Sequence, residues 1–152
     1  MTSTQGARTY SLTRTVAVDR LEGTDTTRAR RAVSADQDFV ADLHALEFAA
    51  TYATAQHLIH DPGLFTYVVE RDGAPIGYAS GHVAEDGRGH LDFMAVAPDA
   101  RGVGDGRVLL AATVAAIFGE ADLDELRLSV EEHRKPAIRF YEKHGFTRVD
   151  PA

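Results

Sequence analysis

The feature that most constrains this chain is a glycine-rich turn between an alternating strand and an almost wholly apolar helix. It reads Val96-Ala-Pro-Asp-Ala-Arg-Gly-Val-Gly-Asp-Gly-Arg107. The start of a helix presents unbonded N–H groups and a partial positive charge, which together favour phosphate. Gly102, Gly104 and Gly106 carry no Cβ, so the main chain there can bend tightly and approach a ligand. Most glycine turns only connect elements. The flanking strand and helix make this one a candidate anion site.

The rest of the chain orders around that turn. Residues 27–32 read as a short strand, and Ser34 with Gln37 reads as a capping box ahead of a helix carrying Phe39, Val40, Leu43 and Leu46 on one side. A weaker helix over 51–60 stops at Asp61-Pro62-Gly63. Strands over 65–70 and 76–83 flank Asp72-Gly73, a strong hairpin signal. A second turn at 86–89 leads into a strand over 90–96. The helix over 107–118 is apolar nearly all round and belongs against a sheet. A strand over 125–130 follows, and strand, helix and strand form a right-handed crossover with the two strands parallel. Pro136 suits the first turn of a last helix, Gly145 its end, and 146–149 begins a final strand. The fold class is α/β with a mixed sheet.

Composition limits the function. With 152 residues, 44% hydrophobic and 26% charged, one domain with a real core is expected. A formal charge of −7, with Lys135 and Lys143 the only lysines, argues against nucleic acid as a partner and suits cationic amines. No apolar run is long enough for a membrane helix, and no leader segment is evident, so a cytoplasmic location is expected. The absence of cysteine removes disulfides, thiolate metal sites and a covalent cysteine intermediate. His57 and His60 share a helical face, but no carboxylate completes a metal site, and none is expected.

At this point the chain resembles the GNAT superfamily of acetyl-CoA-dependent N-acetyltransferases. Arg101-Gly-Val-Gly-Asp-Gly106 is similar to that family's pyrophosphate loop. Pro136-Ala-Ile-Arg-Phe-Tyr-Glu-Lys-His-Gly-Phe146 is similar to its Tyr-Glu-Lys-x-Gly-Phe segment, and Gly73 to Tyr78 to its hairpin before the cofactor strand. The resemblance covers about residues 27–149. It implies a mainly antiparallel sheet with a central splayed parallel pair, flanked by helices, and acetyl-CoA as cosubstrate between 90–96 and 125–130. The backbone of Arg101, Gly102, Val103, Gly104, Asp105, Gly106 and Arg107 would receive the pyrophosphate. Met94, Ala95 and Val96 would pair with the pantetheine. Tyr141 is implied as the acid that protonates the departing thiolate. The base is open: the pleat of 90–96 puts His90, Asp92, Met94 and Val96 on one face, so His90, Asp92 or a water chain could take the amine's proton. Glu131 and Glu132 border the cleft and either meet a cationic acceptor or end a solvated strand.

Two positions and one strand depart from the family. Asp105 stands where an apolar residue is usual, and its carboxylate would weaken pyrophosphate binding unless turned away. Arg134 stands where many members have asparagine, and its cation is a candidate cofactor contact. The strand that usually follows the Gly-Phe strand is absent, while 9–18 alternates as an unassigned strand. The chain thus divides into an extension over 1–26 and an acetyltransferase domain over 27–152. The extra strand forms a hairpin with 27–32 or replaces the missing one. Replacement asks the linker over 19–26, at most about 26–29 Å long, to cross roughly 24 Å of sheet and climb a strand's length. A strand-exchanged homodimer would relieve that demand.

The leading function is acetyl transfer to a primary amine, a small molecule or a protein N-terminus. The alternative is a non-catalytic acyl-CoA-binding sensor. A P-loop nucleotide domain is disfavoured, because the turn lacks Lys-Ser/Thr.

Overall fold

The computed structural model describes residues 6–48, 53–120 and 122–149. The N-terminal segment divides in two: strand β1 (Ala7–Thr13) runs straight into helix α1 (Arg14–Leu21). The alternation expected to carry one strand to Val18 is overridden at Thr13, whose side chain caps the helix by accepting from the Val16 N–H at 3.2 Å. Arg14 then anchors the helix, donating to the carbonyls of Leu123 and Phe118.

Strand β2 (Ala29–Arg31) is shorter than expected. A single 3-10 turn (Ser34–Asp36) leads into α2 (Gln37–Glu47). The cap expected from Ser34 does not form, its hydroxyl lying instead against His60; the Asp36 carboxylate, held by Arg30, accepts from the Val33 N–H at 2.8 Å and fixes the chain ahead of the helix. The buried stripe of α2 is Val40, Leu43 and His44; Leu46, expected on it, is exposed. Helix α3 (Ala55–His60) starts later than the helix expected over 51–60, because Thr54 caps it by accepting from the His57 N–H; positions 51 and 52 lie outside the described residues.

The meander follows expectation: β3 (Leu64–Arg71), β4 (Ala74–Val83) and β5 (Gly89–Val96) are antiparallel neighbours. Asp72 and Gly73 both have positive φ, 55° and 80°, as a tight type I′ hairpin turn requires. Helix α4 (Asp105–Glu120), strand β6 (Glu125–Glu131), helix α5 (Lys135–Lys143) and strand β7 (Thr147–Val149) complete the chain.

The described strands form one sheet in the order β2-β3-β4-β5-β6-β1-β7, with β5 and β6 its parallel pair. Strand β1 lies between β6 and β7, antiparallel to both, and not beside β2. It does so within its own chain: α1 carries the backbone away over the α4 side, so no exchange with a second subunit is needed to satisfy it. Tyr10 and Leu12 of β1 are fully buried in the same core as Leu109, Ile117 and Leu126. The N-terminal segment is therefore built into the main core. A second core, with Val40, Leu58, Val68, Tyr78 and Phe93, lies under α2 and α3 on the other face.

One irregularity sets up the site. The β4–β5 register slips between Ser80 and Gly81, so that Ser80 faces Phe93 while Gly81 faces Leu91. Asp92 is the extra residue of a β-bulge. The bulge overturns the expected single face of 90–96. Leu91 and Met94 pack with the α4 core and Phe93 and Ala95 with the α2 core. The side chains of Asp92 and His90 lie with His82, on the α2 side.

Candidate active site

The site starts from the end of β5. A 3-10 turn (Pro98–Ala100) brings the chain to Arg101, and Gly102 and Gly104 then adopt φ of 89° and 91°, the left-handed region that side chains disfavour. The first helical bond of α4 runs from the Val108 N–H to the Gly104 carbonyl at 3.3 Å. No N–H from residues 102–107 finds an acceptor among the described residues. Six donors thus converge at a helix N-terminus, the expected cradle for a diphosphate. Gly106 lets this end of α4 press on α5, since a Cβ there would lie 3.1 Å from Cε1 of Phe140. The Val103 side chain is exposed, leaving its N–H as its contribution.

The side chains of the loop are largely engaged elsewhere. Asp105 is 2% exposed and its carboxylate is held by Arg71 and, at 2.5 Å, by Arg28. The feared repulsion of an anion is therefore met by two guanidinium groups. Arg107 reaches back to Thr24 Oγ1 and the Arg20 carbonyl. Arg101 donates to the Val96 carbonyl at 2.9 Å and to Glu47 at 2.8 Å.

Beside the loop the sheet opens. β5 and β6 pair only at Gly89–Leu126 and His90–Arg127, and beyond His90 that edge of β5 has no strand partner among the described residues. The backbone of Met94, Ala95 and Val96 borders this opening, although the Val96 carbonyl already accepts from Arg101. Across its mouth Glu47 bridges Arg101 and Arg134, and Arg134 also bonds Glu131 and lies 4.9 Å above the Phe48 ring. The cation expected near the cofactor thus ties the β6–α5 turn to the end of α2. Glu132 pairs with Arg8.

Tyr141, on α5, is 8% exposed and packs against the rings of Phe140 and Phe146. Its hydroxyl has no hydrogen-bond partner among the described residues. Burial pushes its pKa up to about 12, with Arg134 pulling weakly the other way. It therefore keeps its proton at neutral pH.

On the α2 face, Asp92 Oδ2 lies 2.6 Å from His82 Nδ1, and the rings of His82 and His90 stack at 5.3 Å. Burial raises the Asp92 pKa, and His82 partly offsets this. Nearby, His44 Nδ1 lies 2.5 Å from the Tyr78 hydroxyl; burial pushes this imidazole's pKa down and the phenol's up, so the pair is neutral. His82 and Glu47 are the site residues that sequence reading missed. For His82 a signal existed: the turn at 86–89 sets Val83 against Gly89 and hence His82 against His90. Glu47 had none, because its partners lie 54 and 87 residues away. His57 and His60 part company, the first lying 3.7 Å from Asp61 and the second 3.4 Å from Ser34.

The chain is similar to known proteins. The model of the acetyltransferase (GNAT) family matches residues 32–146. The mycothiol acetyltransferase of Thermomonospora curvata is 42% identical over 91 residues, covering 58% of this chain; the chain spans only 29% of that protein. An uncharacterized N-acetyltransferase of Methanocaldococcus jannaschii, MJ1530, is 32% identical over 120 residues, covering 77% of this chain and 76% of the relative. Among solved structures, the aminoglycoside N-acetyltransferase AAC(6')-Iy in complex with CoA superposes with a TM-score of 0.69 at 14% identity, over 82% of this chain and 94% of that one. That likeness extends the agreement to the fold. With a loop of unbonded N–H groups, a splayed strand pair and a family model covering most of its length, this chain belongs to the acetyltransferase (GNAT) family.

Proposed function

We propose that this chain moves an acetyl group from acetyl-CoA directly onto the nitrogen of a primary amine. The observation that carries this reading is the row of N–H groups over 102–107 with no acceptor, opening onto a sheet edge with no strand partner, both among the described residues. The row would hold the pyrophosphate, and the edge at 94–96 would pair with the pantetheine amides as an added strand would. A backbone N–H on that edge would face the thioester oxygen as it gains charge. With no cysteine in the chain, the amine attacks the thioester carbon itself.

The protons balance as follows. The acceptor ammonium loses one proton to the imidazole–carboxylate cluster on the α2 face, and its lone pair forms the C–N bond. The C–S bond breaks as the tetrahedral centre collapses. Tyr141 gives its proton to the departing sulfur, and the second proton shed by the nitrogen restores the phenol. The products are an amide, a thiol and one proton released to water. Relatives named as N-acetyltransferases support a nitrogen acceptor, and the net charge of −7 suits a cationic one. The chain's amine substrate would lie between helices α2 and α3 and the β4–β5 face.

The second reading, a non-catalytic acyl-CoA sensor, is favoured by one feature: Arg134 is committed to Glu47, leaving no small amide at that turn. Thiol release separates the two, because every thiol in the assay comes from CoA. Acetyl-CoA with a panel of small amines and N-terminal peptides is expected to release thiol in step with acetylated amine. Saturable binding without turnover across the panel would favour the sensor. Tyr141→Phe is expected to keep CoA binding and lower kcat by about 10²-fold; an unchanged kcat would remove the acid role.

A further inference from the structure

We propose that His82 is the group that takes the proton from the incoming ammonium, with Asp92 as the positioning residue that orients it. This rests on the acetyl-transfer reading and assigns a residue to its open step. The inference starts from the bulge. The extra residue in β5 turns the Asp92 carboxylate onto the face where β4 presents His82, and the two meet at 2.6 Å. An ionised carboxylate can only accept here, so in the neutral ring His82 Nδ1 carries the proton and Nε2 the free lone pair. A base oriented by a third group through its other ring nitrogen is the arrangement that activates imidazole in nucleophilic and acid–base sites. His82 is about one-third exposed, which leaves it reachable, while Asp92 is more enclosed at 19%.

The other candidate base points elsewhere. His90 turns Nε2 toward Asp86 on the β4–β5 turn, 3.7 Å away, and stacks its ring on His82 at 5.3 Å with 18° between planes. That places it between His82 and the exposed turn, where it can pass a proton to water. From β6, Arg127 stands opposite His90 and bonds Glu125, and at the end of α2 Glu47 pairs with Arg101 and Arg134. Strand β3 offers only Leu64 opposite His82. The proton balance is simple: R–NH3+ loses one proton to His82 Nε2, giving R–NH2 and an imidazolium, which then releases it to solvent beside His90.

A His–Asp pair could instead do no more than pin β4 to β5, and the test separates the two roles. His82→Ala is expected to lose 10²- to 10⁴-fold in kcat with CoA affinity unchanged, and added imidazole is expected to restore part of the rate. Asp92→Asn is expected to move the ascending limb of the pH profile to lower pH, because the imidazolium loses its anionic neighbour. His90→Gln is expected to cost less than either. A His82→Ala enzyme with wild-type rate and pH profile, or loss in His90→Gln alone, overturns the assignment. Independently of turnover, nitrogen-15 spectra of the imidazoles are expected to show His82 protonated on Nδ1 at neutral pH, and an Nε2–H tautomer overturns it as well. If the wild type binds CoA but acetylates no amine, the acetyl-transfer reading fails while these spectra still decide the geometry.

Discussion

At the residue scale the chain resolves a conflict written in its own loop. Asp105 brings a negative charge to a helix start proposed to hold an anion, and the sequence alone gives no hint of what neutralises it. The neutralising groups are Arg28 and Arg71, 77 and 34 positions away, so the compensation is visible only once β2 and β3 are folded against α4. A carboxylate in the first turn also favours the helix itself. Asp105→Asn is therefore expected to destabilise the fold by about 1.5–3 kcal/mol, the range for hydrogen bonds involving charged groups. It is expected to leave CoA affinity near wild type. Thermal melts and titration calorimetry check both, and a clear gain in affinity would show that the carboxylate does repel the ligand. The Tyr-Glu-Lys segment marked Tyr141 as a candidate, and its acid role is a proposal; that its hydroxyl meets no partner among the described residues was not legible, because burial is a property of the packed helix.

At the element scale the strands and their turns were readable because they rest on local chemistry: Asp72-Gly73 at the hairpin, glycines in the loop, Pro136 and Gly145 around α5. Two elements were not. The alternation over 9–18 was true for β1 but continued by chance into α1, where the cap at Thr13 and the anchoring of Arg14 on Phe118 and Leu123 prevail. The bulge at Asp92 is the other, and no periodicity in β5 announces it. The bulge coincides with a close approach at Gly81, where an added Cβ would sit 2.4 Å from the His90 carbonyl and 2.6 Å from Ile117 Cδ1. Gly81→Ala is accordingly expected to force β4 and β5 apart, at a cost of about 1–3 kcal/mol, and to lower kcat more than it lowers CoA affinity. Denaturant unfolding and thiol-release kinetics check this; an alanine variant with full stability would mean that the close approach does not set the bulge.

At the scale of the whole molecule, the sheet is completed by a strand from the opposite end of the sequence. Ser11 of β1, Glu125 and Arg127 of β6 and Arg88 of the β4–β5 turn meet at one carboxylate, so Glu125 ties three parts of the chain together. Its pKa is held down to about 2, chiefly by the Ser11 hydroxyl and then by Arg127. A carboxyl depressed in the fold stabilises at pH values above its unfolded pKa, near 4.5, and that contribution fades as pH falls toward 2. Glu125→Gln is expected to flatten the loss of melting temperature between pH 4.5 and 2, and an acid limb identical to wild type would contradict this. The position of β1 could be bounded from sequence by linker length; choosing between hairpin and replacement needed the helix that carries the chain back. The central claim, that backbone amides at the start of α4 hold the diphosphate of a CoA thioester beside a splayed sheet edge, is tested most directly by following amide resonances during titration with CoA. Saturable shifts largest at 102–107, with smaller ones at 94–96, are predicted. A titration that moves no amide, or moves only resonances remote from that loop, would contradict it.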